Sequence, residues 1–333
     1  MADVSRPRGR SRDHDRGQLF LVGALALAVT FVVLALVMNG VIYTENVSAR
    51  DLATSTAPAI EYENEAKSVA AHLVTVERGD DYDELEATVA EGLSAWSNTT
   101  QPFGAVQGRL AGIENTTASN GSALAQDNET RNFTAVNDAE SWTLASGVDT
   151  RDAWINATPD GEESDIEDED FGNLTDVGGP FYLNVTDGGG QDVTVFVYED
   201  ENSDDVCVAV FDGGTYENSS CAAGENLYLD LVGGTYGESP VDQSDEQEWL
   251  QVLERAGTGH DLEFGNADAA DGTYQFVVDA EYGEVEANFG TDSDAEPYAE
   301  RTLYDAEFQV RYRTQNVRYE SMVRVAPGEP AYE

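Results

Sequence analysis

Hydrophobic and polar positions change their period along this chain, and each change predicts a different element. From Leu19 to Tyr43 there is no period, because 25 residues carry no ionisable side chain except the closing tyrosine. A helix needs about 20 apolar residues to cross a bilayer's hydrocarbon core, and a soluble core helix would show a polar stripe. This run therefore predicts a transmembrane helix. From Ile60 onward apolar residues recur every three or four positions: Tyr62, Ala66, Val69, Leu73 and Val76. After the break at Gly79-Asp80-Asp81 come Tyr82, Leu85, Val89, Leu93 and Trp96. This spacing predicts two amphipathic helices, packed either on the chain's own β-domain or on neighbouring copies.

From Phe181 the period falls to two. Val193, Val195 and Val197 alternate with Thr194, Phe196 and Tyr198, and Val206, Val208 and Val210 with Cys207, Ala209 and Phe211. Leu227, Leu229 and Leu231 form another such set, with Asp212-Gly213-Gly214 as turn chemistry. The clearest hairpin is carboxy-terminal. Tyr304, Ala306, Phe308, Val310 and Tyr312 share one face, and Val317, Tyr319, Val323 and Val325 continue it after Thr314-Gln315-Asn316. Polar residues take the other face, the pattern of antiparallel strands with one buried and one wet side. A short helix is expected around Trp249 and Leu253. The expected fold class is α+β: an N-terminal transmembrane helix with a helical extension, then a mostly antiparallel β-rich extracytoplasmic domain.

The same pattern divides the chain into a basic head (1–18), the membrane span (19–43), a helical stalk (44–97), a sequon-rich acidic region (98–175) and a β-rich head (176–333). Arg6, Arg8, Arg10, Arg12 and Arg16 precede the span, whereas Glu45 opens the flank after it. Basic flanks stay in the cytoplasm, so the roughly 290 residues after the span are expected to face outward.

Charge sharpens this picture. The formal charge is −48 over 333 residues, and Lys67 is the only lysine. Such a surface repels nucleic acid and anionic headgroups, so no nucleic-acid partner is expected. A dense carboxylate surface suits molar salt, where the Debye length is about 3 Å and self-repulsion is screened. With 41% hydrophobic residues the chain can bury a core, so the composition reads as a folded halophile ectodomain and not as a disordered acidic chain. Ten N-x-S/T sequons follow the span, at Asn46, Asn98, Asn115, Asn120, Asn128, Asn132, Asn156, Asn173, Asn184 and Asn218. That excess marks an exported surface open to glycosylation. Two cysteines, Cys207 and Cys221, suit one hairpin-scale disulfide outside the cell. Arg301, Arg311, Arg313, Arg318 and Arg324 concentrate near the carboxy terminus, to pair either across strands or with a neighbouring subunit's acidic patch.

Arg16-Gly17-Gln18-Leu19 lies where charge gives way to the apolar run, and it resembles the cleavage site of archaeal type IV pilin-like precursors. The resemblance covers residues 1–43 and a general architecture of helix followed by β-rich head. It implies cutting between Gly17 and Gln18, with the remaining helix either anchored in the membrane or packed in a filament. Val22 stands where many bacterial pilins carry a glutamate. The other readings of this end are an uncleaved single-pass anchor, and a secretory signal cut near Val47-Ser48-Ala49, whose apolar segment would be unusually long.

Catalytic chemistry is not legible. His14, His72 and His260 are scattered, and no nucleophile elbow, phosphate loop or zinc-spaced Cys/His set occurs. The acidic block Asp160–Asp170 lacks the alternating ligands and central glycine of a calcium loop, so no metal or cofactor is expected. The chain reads as a membrane-anchored, glycosylated, halophilic cell-surface structural or interaction protein, a pilin-like subunit. Its expected partners are membrane lipid, copies of itself, or pilus and envelope proteins. The alternatives are an uncleaved envelope scaffold or binding protein, and an exported hydrolase.

Overall fold

A computed structural model describes residues 56–160, 165–166, 179–200, 203, 205–290 and 295–329. Helix α1 (Ala57–Val76) starts with a proline in its first turn, where the missing N–H costs nothing. It buries a stripe of Ala59, Glu63, Ala66, Ala70 and Val74. Strand β1 (Arg78–Gly79) links it to α2 (Tyr82–Val106). The Asp81 side chain caps α2 by accepting the Asp83 and Glu84 amides, and Leu85, Val89, Leu93 and Ser97 face inward. The two helices touch at Gly92, where a Cβ would stand 2.8 Å from Leu73.

Among the described residues fifteen further strands follow in chain order: β2 (Leu110–Gln126), β3 (Trp142–Val148), β4 (Thr150–Pro159), β5 (Asp165–Ile166), β6 (Phe181–Thr186), β7 (Asp192–Asp200), β8 (Val206–Asp212), β9 (Thr215–Ala222), β10 (Leu227–Asp230), β11 (Thr235–Ser239), β12 (Asp242–Gln243), β13 (His260–Gly265), β14 (Ala270–Val278), β15 (Tyr298–Arg313) and β16 (Arg318–Val325). They form two sheets. The larger runs β1-β15-β2-β14-β4-β10-β11-β12, with β16 also on β15, and the smaller runs β3-β13-β6-β7-β8-β9, with β5 beside β7. Among the described strand-to-strand ladders only β5–β7 is parallel, beside one isolated parallel bridge between Gly290 and Tyr298.

The sheets enclose one core of interlocked aromatic rings, with Phe133, Phe181, Phe264, Tyr274, Phe276 and Trp142 at its centre. Along β15 burial passes from this core at Ala299 to a second one from Leu303 onward, where Ala306, Phe308 and Val310 meet α1 and α2. Between them the Arg301 guanidinium lies over the Tyr282 ring at 4.2 Å and near Tyr82 at 5.9 Å.

These observations correct the α+β expectation. Strand outweighs helix 47% to 24% among the described residues, so the molecule is mostly antiparallel β. No described helix is long and apolar enough to cross a membrane, and the Leu19–Tyr43 segment lies outside the described residues. The two long helices are a layer on the sheet. Their apolar stripes cover β15 and β16 (Phe308, Val310, Val323), which would otherwise face water. The excess strand comes largely from residues 110–159. There β2 and β4 hold central places in the larger sheet, though small and polar residues dominate their sequences.

Candidate functional site

The processing residues Arg16, Gly17 and Gln18 lie outside the described residues, as do Asn46, Asn173 and most of the Asp160–Asp170 block. Cys207 and Cys221 sit directly opposite each other on β8 and β9 and are joined by a disulfide. Cys207 is buried in a small cluster with Phe196, Tyr198, Ala209 and Phe211 on the face of the smaller sheet away from the main core.

The remaining sequons separate by exposure. Asn98, Asn115, Asn128 and Asn218 are exposed. Asn120, Asn132, Asn156 and Asn184 are half-buried, and their amides are engaged. Asn156 accepts from Asn226 at 2.8 Å, Asn184 accepts from Thr194 at 3.0 Å, and Asn132 accepts from Thr134 at 2.7 Å. Asn120 donates to Glu281 at 2.9 Å.

Two buried cationic or titratable groups stand out, and both fasten one layer to another. The chain changes sheets between β3 and β4, at Asp149. There the buried His260 spans the corner. Its Nδ1 lies 2.9 Å from the Gly257 carbonyl and its Nε2 2.8 Å from Thr150 Oγ1. A carbonyl can only accept, so Nδ1 carries the proton and Nε2 accepts from the threonine. Burial lowers the His260 pKa, while the Gly257 bond and Asp149, Asp279 and Asp261 act to raise it. The imidazole is fully buried, and its neighbours are turn-forming aspartates.

Arg151, only 2% exposed, takes an inward position on β4. Its guanidinium donates to the carbonyls of Val74 on α1, Leu303 on β15 and Pro327 in the carboxy-terminal segment, each at 3.3 Å. Burial lowers its pKa to about 10, against the pull of Asp152. Pattern reading overlooked this residue. Its signal was present, because 151 shares parity with Ala153, Ile155 and Ala157, and an arginine at an inward strand position needs an explanation.

The hairpin arginines pair mainly within the sheet. Arg311 meets Glu114 at 2.5 Å, Arg318 meets Glu320 at 2.8 Å, and Arg324 meets Asp305 at 2.5 Å and also Glu329. Lys67 meets the buried Glu63 one helical turn away at 2.8 Å, and Tyr319 of β16 donates to the same carboxylate.

One end of the molecule gathers the start of α1, the end of α2, the start of β2 and the β15–β16 hairpin. A cleft of about 350 Å³ opens there, lined by Pro58, Tyr62, Phe103, Gly104, Arg109 and Tyr312, among others. Glu61, Glu65 and Thr100 also line it, and no cluster of three metal-ligating side chains occurs among the described residues.

Residues 13–142 match the model of a family of unknown function, DUF7261. The matched stretch opens in the basic flank and runs through the apolar segment, both helices and β2 to the first residue of β3. No curated protein and no solved structure matches the chain.

Proposed function

We propose that this chain is a membrane-tethered, glycosylated cell-surface protein of a halophile, with a structural or binding role and a pilin-like manner of export. The observation that carries the proposal is the Leu19–Tyr43 run between a basic flank and an acidic remainder. The charge asymmetry orients the chain, and the apolar run tethers it. The exposed sequons and the disulfide suit an oxidising exterior. The DUF7261 match joins the apolar run to the helix layer as one recurring unit, which supports a tether built together with its platform.

Mass spectrometry of the mature protein tests this. A chain starting at Gln18, lost on Gly17→Leu substitution, is expected. A mature pool retaining Met1 or Ala2 would remove the pilin-like route and leave an uncleaved anchor. Recovery of the full-length chain in the detergent-free soluble fraction would remove the tether as well.

A further inference from the structure

The molecule's cations are few, and among the described residues nearly all of them are engaged. Among the described residues the guanidinium groups of Arg109 and Arg313 alone have no hydrogen-bond, ion-pair or aromatic partner. The other described cations are held by carboxylates (Lys67, Arg255, Arg311, Arg318, Arg324), by carbonyls or hydroxyls (Arg78, Arg131, Arg151), or by rings (Arg301). Both unpartnered arginines lie at the end where α1 begins. Arg109 lines the cleft with Pro58, and Arg313 closes β15 opposite Leu110.

Exposed apolar side chains collect at the same end. Phe103 is 71% exposed, Val106 90% and Leu110 64%, and Ile60 in the first turns of α1 is 46% exposed. These are four of the nine large hydrophobic residues exposed among the described residues. Elsewhere the surface is dominated by carboxylates, so a patch of this kind needs a partner. Thirteen residues, 44–56, separate the apolar run from Ala57. Fully extended they reach at most about 45 Å, so the end at which α1 begins stays within that distance of the apolar run.

We propose that this end is a lipid-docking surface: Phe103, Val106 and Leu110 enter the headgroup–acyl boundary while Arg109 and Arg313 meet anionic headgroups. The inference rests on the tether reading and deepens it by assigning the head an orientation. Apolar rings and branched side chains beside arginine match the interfacial zone, where an apolar body and a charged tip are both satisfied. In molar salt the arginines act only at contact range, because screening sets in within about 3 Å. Apolar insertion supplies the remainder and is not weakened by salt. Glu61 and Glu65 line the same cleft as Arg109, so the apolar side chains carry most of the contact and the two arginines offset those carboxylates.

The test uses full-length protein reconstituted into vesicles of anionic phospholipid. Val106→Cys and Val241→Cys are each given a nitroxide label. Val241 is 95% exposed beside β12, at the opposite edge of the larger sheet, and both native cysteines are in the disulfide. The label at 106 is expected to collide several-fold more with lipid-dissolved oxygen, and several-fold less with an aqueous nickel chelate, than the label at 241. Equal accessibilities in protein that floats with the vesicles would overturn docking while leaving the tether in place. Protein that does not float would remove the tether reading and this inference with it. Shielding at 106 that rises with protein-to-lipid ratio and comes with label–label broadening would assign the face to a second copy, and the lipid proposal would fall.

Discussion

Replacing Arg151 by methionine isolates the contribution of the buried cation that joins the helix layer, the larger sheet and the carboxy-terminal segment. The substitution keeps most of the volume and removes donors to three carbonyls. Hydrogen bonds from a charged donor contribute about 1.5–3 kcal/mol each, and bonds of this length fall at or below the lower end, so the three together give about 3 kcal/mol. At the C-terminal end of α1, Arg151 joins Arg78, which donates to the Thr75 and Glu77 carbonyls, as a cation that the helix dipole favours, worth about 0.3–1 kcal/mol. Against this, methionine relieves the desolvation of a buried charge, a gain that equals or exceeds the loss in some proteins. Here the Val74 and Leu303 carbonyls stay buried when they lose their donor, while the Pro327 carbonyl is only partly buried, so the loss wins, by about 2–3 kcal/mol. Arg151→Ala adds a cavity and reaches about 4–5 kcal/mol. At about 2–4 °C per kcal/mol for a domain of this size, the methionine variant should melt roughly 4–12 °C lower. Thermal unfolding of the full chain in detergent and molar salt, followed by near-ultraviolet circular dichroism, reads this directly. A methionine variant as stable as the parent, or more stable, would refute the reasoning. It would mean that the layers are held by packing alone and that the arginine is a tolerated cost.

Three further outcomes are expected. His260 is held neutral by burial, so its folded pKa lies below the ordinary 6.5 and the unfolded chain binds the extra proton first. Stability should therefore fall as pH drops below about 6.5, and His260→Gln should flatten that slope in a series of melting curves, whereas an unchanged slope would clear His260 of any part in it. The Cys207→Ala/Cys221→Ala pair should cost about 2–3 kcal/mol in guanidinium unfolding, from the loop that the disulfide closes, and a loss under about 0.5 kcal/mol would mean that the hairpin is equally constrained without it. Glycopeptide mapping should find Asn98, Asn128 and Asn218 occupied and Asn156 and Asn184 bare, since the last two have their amides hydrogen-bonded within a sheet; full occupancy of Asn156 would show that the sugar is attached before the strand pairs.

Local periodicity made some elements legible and hid others. The helices at 57–76 and 82–106 follow from apolar residues at every third or fourth position, and β7, β8 and β16 from strict alternation. What pattern could not supply was β2, 17 residues long and central in the larger sheet. Its first half pairs mainly through small and polar residues between β15 and open solvent, and apolar burial begins only near Ser122. A strand of that composition carries no alternation signal, because its place is fixed by the hydrogen bonds of its neighbours and not by its own side chains. The same holds at β15, where five consecutive residues from Thr302 to Ala306 are buried. Register shifts between Leu303 and Asp305 and again between Glu307 and Gln309 turn the strand as it leaves one core for the other. The alternation read from Tyr304 to Arg313 holds only from Ala306 onward, because Asp305, expected on the wet face, is buried against Arg324.

The candidate site was legible to the extent that charge is readable without coordinates. Composition implies a surface hostile to anionic lipid, and over most of the described molecule the carboxylates do face outward. Only coordinates show where the scarce cations go. In molar salt an exposed ion pair gains little, so a chain that keeps so few cations gains most by placing them where water is excluded or geometry is fixed. Arg151, Arg131 and Arg324 follow that logic, each tied to carbonyls or carboxylates that would otherwise be buried without a donor. Arg109 and Arg313 do not, and neither do Phe103, Val106 and Leu110 beside them, which stand bare on a surface otherwise kept hydrated by acid groups. Two departures from the molecule's own surface chemistry, in charge and in hydropathy, coincide at the end where the chain enters the head. A single cause, the proposed contact with a membrane, accounts for both.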